Sequence, residues 1–125
     1  MRVAKTRNAG TLTESAYFGL IRSALRNAFK YSWKPAQKAL ALASRPSQSA
    51  NKRIKKEYQC KCCSLWFQRS EVEIDHIKEC GTLRCHEDIP IFIQNMLPED
   101  HKAYQILCKP CHKKKTKAYM DSKKI

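Results

Sequence analysis

Acidic residues are nearly missing from the first half of this chain. Residues 1–56 carry one, Glu14, against thirteen Lys/Arg, a local charge of +12, whereas residues 57–125 hold ten acids against twelve Lys/Arg, for +2. The excess of +14 over 125 residues has too few internal partners, and it points to a polyanion outside the chain, nucleic acid before an anionic membrane surface. A second absence weakens the membrane reading, because no apolar run approaches the roughly 18–20 residues of a membrane span. A third concerns Met1–Asn8, which is polar and basic with no apolar core behind it, so no secretory leader is expected and the expected location is cytoplasmic. Cysteine is absent up to residue 59, and all seven cysteines then fall between Cys60 and Cys111. An odd number of thiols in a reducing compartment argues for metal-bound thiolates over a disulfide framework. The length excludes a large enzyme and fits one small domain with an arm.

The pattern along the chain predicts where elements lie. Residues 1–10 read as a disordered basic tip. Thr11-Leu-Thr-Glu14 has the spacing of a capping box and opens a helix over about 13–30, with Tyr17, Leu20, Ile21, Ala24, Leu25 and Ala28 as its apolar stripe. Arg22, Arg26 and Lys30 recur four apart as a basic ridge, read either as a solvated face or as facing phosphate. Trp33-Lys-Pro35 breaks that helix and a second follows over about 35–43. Ser44–Asn51 reads as a polar linker closed by the basic cluster Lys52, Arg53, Lys55 and Lys56. The expected division is therefore a basic helical arm and linker, 1–56, and a second domain, 57–125. In the latter, Trp66-Phe67, Val72–His76 and Tyr104–Leu107 read as strands, Ile91–Leu97 as a short helix, and the lysine-rich stretch after Cys111 as a helix. The expected class is α+β.

Cys60-x-x-Cys63 and Cys108-x-x-Cys111 are two matched knuckles. Two intervening residues let both sulfurs of a turn reach about 2.3 Å from one ion, and four thiolates leave no open position, so the predicted cofactor is a structural Zn²⁺. Cys62 competes with Cys63, and the spacing favours Cys63. The 44 residues between the knuckles exceed what a zinc ribbon needs, and they contain Asp75-His76. In a chain of this size, with three glycines in all and a modest apolar content, the second half is expected to fold only around its metal. Cys80, Cys85 and His86 could ligate a second ion only with a further thiol, and free, partly buried thiols are the simpler expectation.

Neighbours on a strand face opposite ways, so Asp75 and His76 share a site only where the strand ends or twists. On a helix Cys111 and His112 are about 100° apart, so one can serve zinc while the other points elsewhere. A carboxylate and an imidazole are thus offered to a second, hard divalent ion, with another imidazole nearby, the requirements of phosphodiester cleavage. Against this stands the simpler reading of Asp75 as a turn cap and the two histidines as packing or surface residues.

Cys60-x-x-Cys63, Glu73-Ile-Asp-His-Ile77 and Leu107-Cys-Lys-Pro-Cys-His-Lys-Lys-Lys-Thr116 resemble the zinc-stabilised, phage-type HNH endonucleases over about residues 58–117. The resemblance implies a ββα-metal module, a phosphodiester hydrolase acting on DNA, and a role in phage DNA processing or packaging, with homing as the alternative. It makes His76 the general base and Asp75 and His112 ligands of a catalytic Mg²⁺, Mn²⁺ or similar ion, with 5′-phosphate and 3′-hydroxyl products. Lys113, Lys114, Lys115 and Lys117 would join the basic ridge and cluster in holding the phosphate backbone, or else form a solvated helix face. One position departs from the pattern: Ala103 stands where the family has its middle asparagine, with Asn95 a weak substitute. His101 reads as an exposed turn residue near the site. Two rival readings are a non-catalytic zinc module that binds nucleic acid or docks on a larger machine, and a ribonuclease.

Overall fold

The computed structural model describes residues 2–123 and is of the α+β class. In chain order its elements are β1 (Lys5–Arg7), β2 (Leu12–Thr13), α1 (Glu14–Ser32), α2 (Lys34–Leu42), β3 (Ser44–Pro46), β4 (Lys56–Gln59), β5 (Trp66–Phe67), β6 (Val72–His76), α3 (Ile89–Met96), β7 (Tyr104–Cys108) and α4 (Lys109–Ser122). They form two compact units. One runs to Trp33 and is completed by Lys78–Glu99; the other is Lys34–Ile77 together with the chain from Asp100 on. The units thus divide elsewhere than at 56/57. Residues 34–56 belong with the strands that follow, because α2 packs on β6 and β7 and β3 pairs with β4.

In the first unit, the expected disordered tip is a hairpin. Lys5 and Arg7 pair with Thr13 and Leu12 across a turn in which Asn8, Ala9 and Gly10 all have positive φ. Gly10, at φ +78°, sits in the region where a side chain is strained. Glu14 locks the hairpin to α1, taking Arg7 Nε at 2.6 Å and the Thr6 hydroxyl at 3.1 Å. The helix cap is Thr13, whose hydroxyl accepts from Ala16 N at 3.1 Å, not Thr11 as the capping-box spacing predicts. The buried stripe also differs from the expected one. Phe18 and Phe29 are buried, Ile21 and Leu25 are half-buried between them, and Leu20, Ala24 and Ala28 are exposed. The two phenylalanines lie three helical turns apart, and their larger apolar area sets which face turns inward. Trp33 Nε1 donates to Pro98 O, and Arg22 to Leu83 O, tying the returning segment to α1.

The second unit holds the remaining strands and both C-x2-C turns. Trp33 ends α1, and Pro35 lies in the first turn of α2, where its missing N–H is no loss. Part of the expected linker is strand: β3, β4 and β5 make one antiparallel sheet, with Pro46 on the edge strand where proline is tolerated. β6 and β7 form a separate antiparallel ribbon in register from Val72↔Cys108 to His76↔Tyr104. Leu40, Val72 and Ile106 form its core, with Ala43, Tyr58, Phe67 and Ile74 packed around them. α4 follows β7 directly and packs on both strands of the ribbon. No helix among the described residues is long and apolar enough to cross a membrane.

Ile106 is 2 % exposed at the centre of this core. Ile106→Ala should destabilise the second unit by about 2–5 kcal/mol, the cost of a buried aliphatic truncation and its cavity. The midpoint of urea unfolding, followed by tryptophan fluorescence, measures it.

Candidate metal centre and carboxylate–histidine cluster

The first knuckle is the turn joining β4 to β5. Cys60 N donates to Leu65 O and Ser64 N to Cys60 O, with Ser64 at φ +64° closing the turn. Lys61 N reaches Ile106 O at 2.7 Å, which binds this turn to β7. The second knuckle sits at the start of α4, with Cys108 at its cap and Cys111 in its first turn. The sulfurs of Cys60, Cys63, Cys108 and Cys111 all lie within 4.8 Å of one another, and those of Cys63 and Cys108 are 3.9 Å apart. Around zinc at about 2.3 Å per bond, tetrahedral sulfurs stand about 3.8 Å apart. A disulfide needs about 2.05 Å. The cluster therefore fits a structural metal such as zinc. Cys62 is exposed and outside it, as the spacing predicts.

The thiols are electrostatically unequal. Burial opposes ionisation of Cys60, but hydrogen bonds from the backbone of Cys63, Cys108 and Cys62 outweigh it and bring this thiol down to about 6. Cys111 is pushed well up, first by the Cys108 side chain and then by burial; burial also raises Cys108. Cys60 is thus ready to bind as thiolate, whereas Cys108 and Cys111 resist ionising until a cation neutralises their charge.

On β6, Glu73 and Asp75 share one face by strand parity, and that face meets α4. Asp75 is 8 % exposed and has three partners: Lys115 Nζ at 2.6 Å and Gln105 Nε2 at 2.9 Å on Oδ2, and His112 Nε2 at 3.3 Å from Oδ1. Gln105 is the cross-strand partner of Asp75. The other ring nitrogen of His112, Nδ1, is 2.9 Å from Glu73 Oε2. Lys115 also donates to His76 O at 2.6 Å, so one ammonium clamps the carboxylate and the backbone that follows it. His76 ends the strand. Its ring meets Tyr104 edge-on, with centroids 5.2 Å apart.

The cluster thus joins Asp75 with His112 and leaves the His76 ring against Tyr104. Glu73, Gln105 and Lys115 are members that inspection of the sequence did not assign to it. Two of them had a readable signal: Glu73 is two residues before Asp75 on a strand, and Lys115 three after His112 on a helix. Lys115 turns inward, unlike the exposed Lys113, Lys114 and Lys117, and so is engaged within the protein. Arg22 likewise is engaged with Leu83 O, while Arg26, Lys30, Lys52, Arg53, Lys55 and Lys56 are exposed. At the departed position, the Ala103 carbonyl accepts from Ile77 N at 3.0 Å, extending the ribbon past His76 by backbone alone. Asn95 lies in the first unit, where it donates to Cys80 O, and Cys80 Sγ contacts Asn95 O. His101 stands in the turn before β7, with Nδ1 3.8 Å from Asp100. Cys85 is exposed, and His86 Nε2 lies 3.0 Å from the Tyr17 hydroxyl. Among the described residues the four cysteines are the one grouping of three or more potential ligands close enough to hold an ion.

The protein should carry one zinc per chain. Cys63→Ser should lose most of it while Cys62→Ser keeps it, read by metal analysis of purified protein. Strong chelation should melt the second unit, which holds all four cysteines, and circular dichroism unchanged by chelation would contradict the structural role.

No family model matches this chain, and comparisons with curated proteins and with solved structures likewise gave no match.

Proposed function

We propose that the chain is a metal-dependent DNA endonuclease of the HNH kind, with β6, β7 and α4 as its ββα-metal module. The observation that carries this reading is the meeting of Asp75 and His112 while Glu73 faces the second nitrogen of the same imidazole. An imidazole with a carboxylate on each side either holds two protons or uses one nitrogen as a lone-pair donor. With the Nδ1 proton given to Glu73, Nε2 is the donor, 3.3 Å from Asp75 Oδ1. Two ligands of one ion, each about 2.0–2.2 Å from it, can stand that far apart, and a carboxylate behind a ligating histidine is a common metal-site arrangement.

A Mg²⁺, Mn²⁺ or similar ion held by Asp75 and His112 would supply positive charge to the phosphate oxygens and the departing 3′ oxygen. Lys115 and Gln105 hold Asp75 by Oδ2, leaving Oδ1 turned to His112. Glu73 fixes the His112 tautomer. His76 takes the proton of the attacking water as its oxygen bonds to phosphorus; the P–O3′ bond breaks and the departing 3′ oxygen takes a proton from solvent, giving a 5′-phosphate and a 3′-hydroxyl. The exposed lysines of α4, 113, 114 and 117, supply sequence-independent contacts to the backbone. The resemblance in sequence, with its implied phage DNA processing or packaging, supports the same reading.

Purified protein incubated with supercoiled plasmid and Mg²⁺ or Mn²⁺ should nick or linearise it, and His76→Ala should be slower by about 10²–10⁴-fold, the usual contribution of a general base. Equal cutting by both proteins would end this assignment, and binding without cutting would establish the non-catalytic zinc module instead. RNA cleaved in preference to DNA in the same assay would make it a ribonuclease. Glu73→Gln should weaken Mn²⁺ binding by about 10–100-fold, measured by calorimetry on zinc-loaded protein.

A further inference from the structure

Apart from the carboxylate–histidine cluster, the second unit contains a groove of about 360 Å³ between the segment entering β4 and the 3₁₀ turn that leads into β6. Of its eight lining residues four are cationic, Arg53, Lys55, Lys56 and Arg69, and none is acidic. Half-buried Ile54 and Tyr58 also line it, and Tyr58 packs against the Leu40–Val72–Ile106 core.

Two observations separate this from a solvated charge run. The first is that the cations are held by backbone structure. Pro46 pairs with Lys56 across the sheet, Ser47 N donates to Lys55 O, the Asn51 side chain and carbonyl take the amides of Arg53 and Ile54, and Arg69 Nη1 donates to Val72 O. The second is that the acids nearest in sequence are already engaged. Glu57 Oε1 takes Gln48 N at 2.7 Å and lies 3.5 Å from Arg45 Nε, and Glu71 Oε1 accepts from Gln68 N. The positive charge of the groove therefore has no compensating carboxylate among its lining residues.

The geometry points to this groove as a seat for the phosphodiester backbone of DNA, distinct from the cutting cluster. An open channel with cations on two walls fits an extended polyanion whose charges recur every few ångströms along a strand. The lining residues Arg69 and Ser70 lead through Glu71 directly into β6, the strand that bears Asp75, so a DNA strand seated here would lie against the chain segment that enters the cluster. The choice of ligand rests on the nucleic-acid reading above, but not on cleavage.

The test uses zinc-loaded full-length His76→Ala protein, a short labelled DNA duplex and no added Mg²⁺ or Mn²⁺, with affinity measured across a salt series. Replacing Arg53, Lys55, Lys56 and Arg69 together by Ala should weaken binding by about 10²-fold at low salt. It should also make the log–log salt slope shallower by about three, since each phosphate that the protein ceases to neutralise removes about 0.9 from it. A control replacing Lys34, Lys38, Lys78 and Lys102 by Ala removes the same charge from exposed positions elsewhere and should leave the slope within about one of the parent. The charge-keeping pair Arg53→Lys and Arg69→Lys should bind like the parent. If the quadruple variant loses its zinc, Lys55→Glu with Lys56→Glu takes its place and should weaken binding as strongly. Equal losses in groove and control variants, or none in either, would overturn the groove. Wild-type protein that binds with the expected slope yet cuts no plasmid would remove the nuclease and leave the groove standing.

Discussion

Everything at the carboxylate–histidine cluster depends on where α4 begins, and four sulfurs decide that. Cys108 and Cys111 belong to the cap and first turn of the helix, and Cys60 and Cys63 to the β4–β5 turn. Joining them through a metal anchors the first turn of α4 to the sheet. His112 is the next residue and Lys115 one turn further, so both inherit that anchor and meet β6 at fixed heights. The start of α4 is otherwise weakly specified. Most of its residues are exposed, lysine foremost, none is buried, and it has little apolar area with which to choose a position. Removing the metal would thus act on the cluster through the placement of a helix.

The cluster satisfies its buried carboxylate through geometry. Asp75 is buried, and burying a lone carboxylate is costly. Lys115 and Gln105 satisfy one of its oxygens, and the strand pairing puts Gln105 in place without a side-chain search. Glu73, more exposed, sits behind the imidazole. Two carboxylates against one ammonium leave this patch net negative before His112 is considered, in a protein whose overall charge is +14.

The sequence was most legible where spacing carries chemistry. The two C-x2-C turns named the ligand set, including Cys63 over Cys62, because tetrahedral geometry admits few spacings. The ribbon strands at Val72 and Tyr104, both early helices and the helix after Cys108 were legible from periodicity and proline placement. What was not legible depended on tertiary choice. Thr11 and Thr13 are both capping residues, and the short pairing of Arg7 with Leu12 selects the second. The stripe of α1 follows Phe18 and Phe29, whose dominance shows only once a partner surface exists. Helical spacing places Lys115 on the side of His112, but its inward turn depends on Asp75 and the His76 carbonyl, which only the folded ribbon brings to it. Likewise the linker reading of residues 44–51 missed β3, because a short polar edge strand lacks an alternating apolar signal.

The path of the chain between the two cysteine turns has a consequence for how the fold comes together. Forty-four residues separate Cys63 from Cys108, and 22 of them, Lys78–Glu99, leave the ribbon to complete the other unit. Loop-closure entropy grows only as the logarithm of length, so a detour twice as long as a simple ribbon needs costs about 0.6 kcal/mol. Equilibrium stability hardly registers the detour. The rate of folding does, since the ribbon and the metal site are both non-local pairings that must find each other across it. A chain arranged this way can accept insertions between the strands of its ribbon over evolutionary time with little loss of stability, and the burden falls on the interval before the metal is captured, when the four ligand thiols are still unshielded.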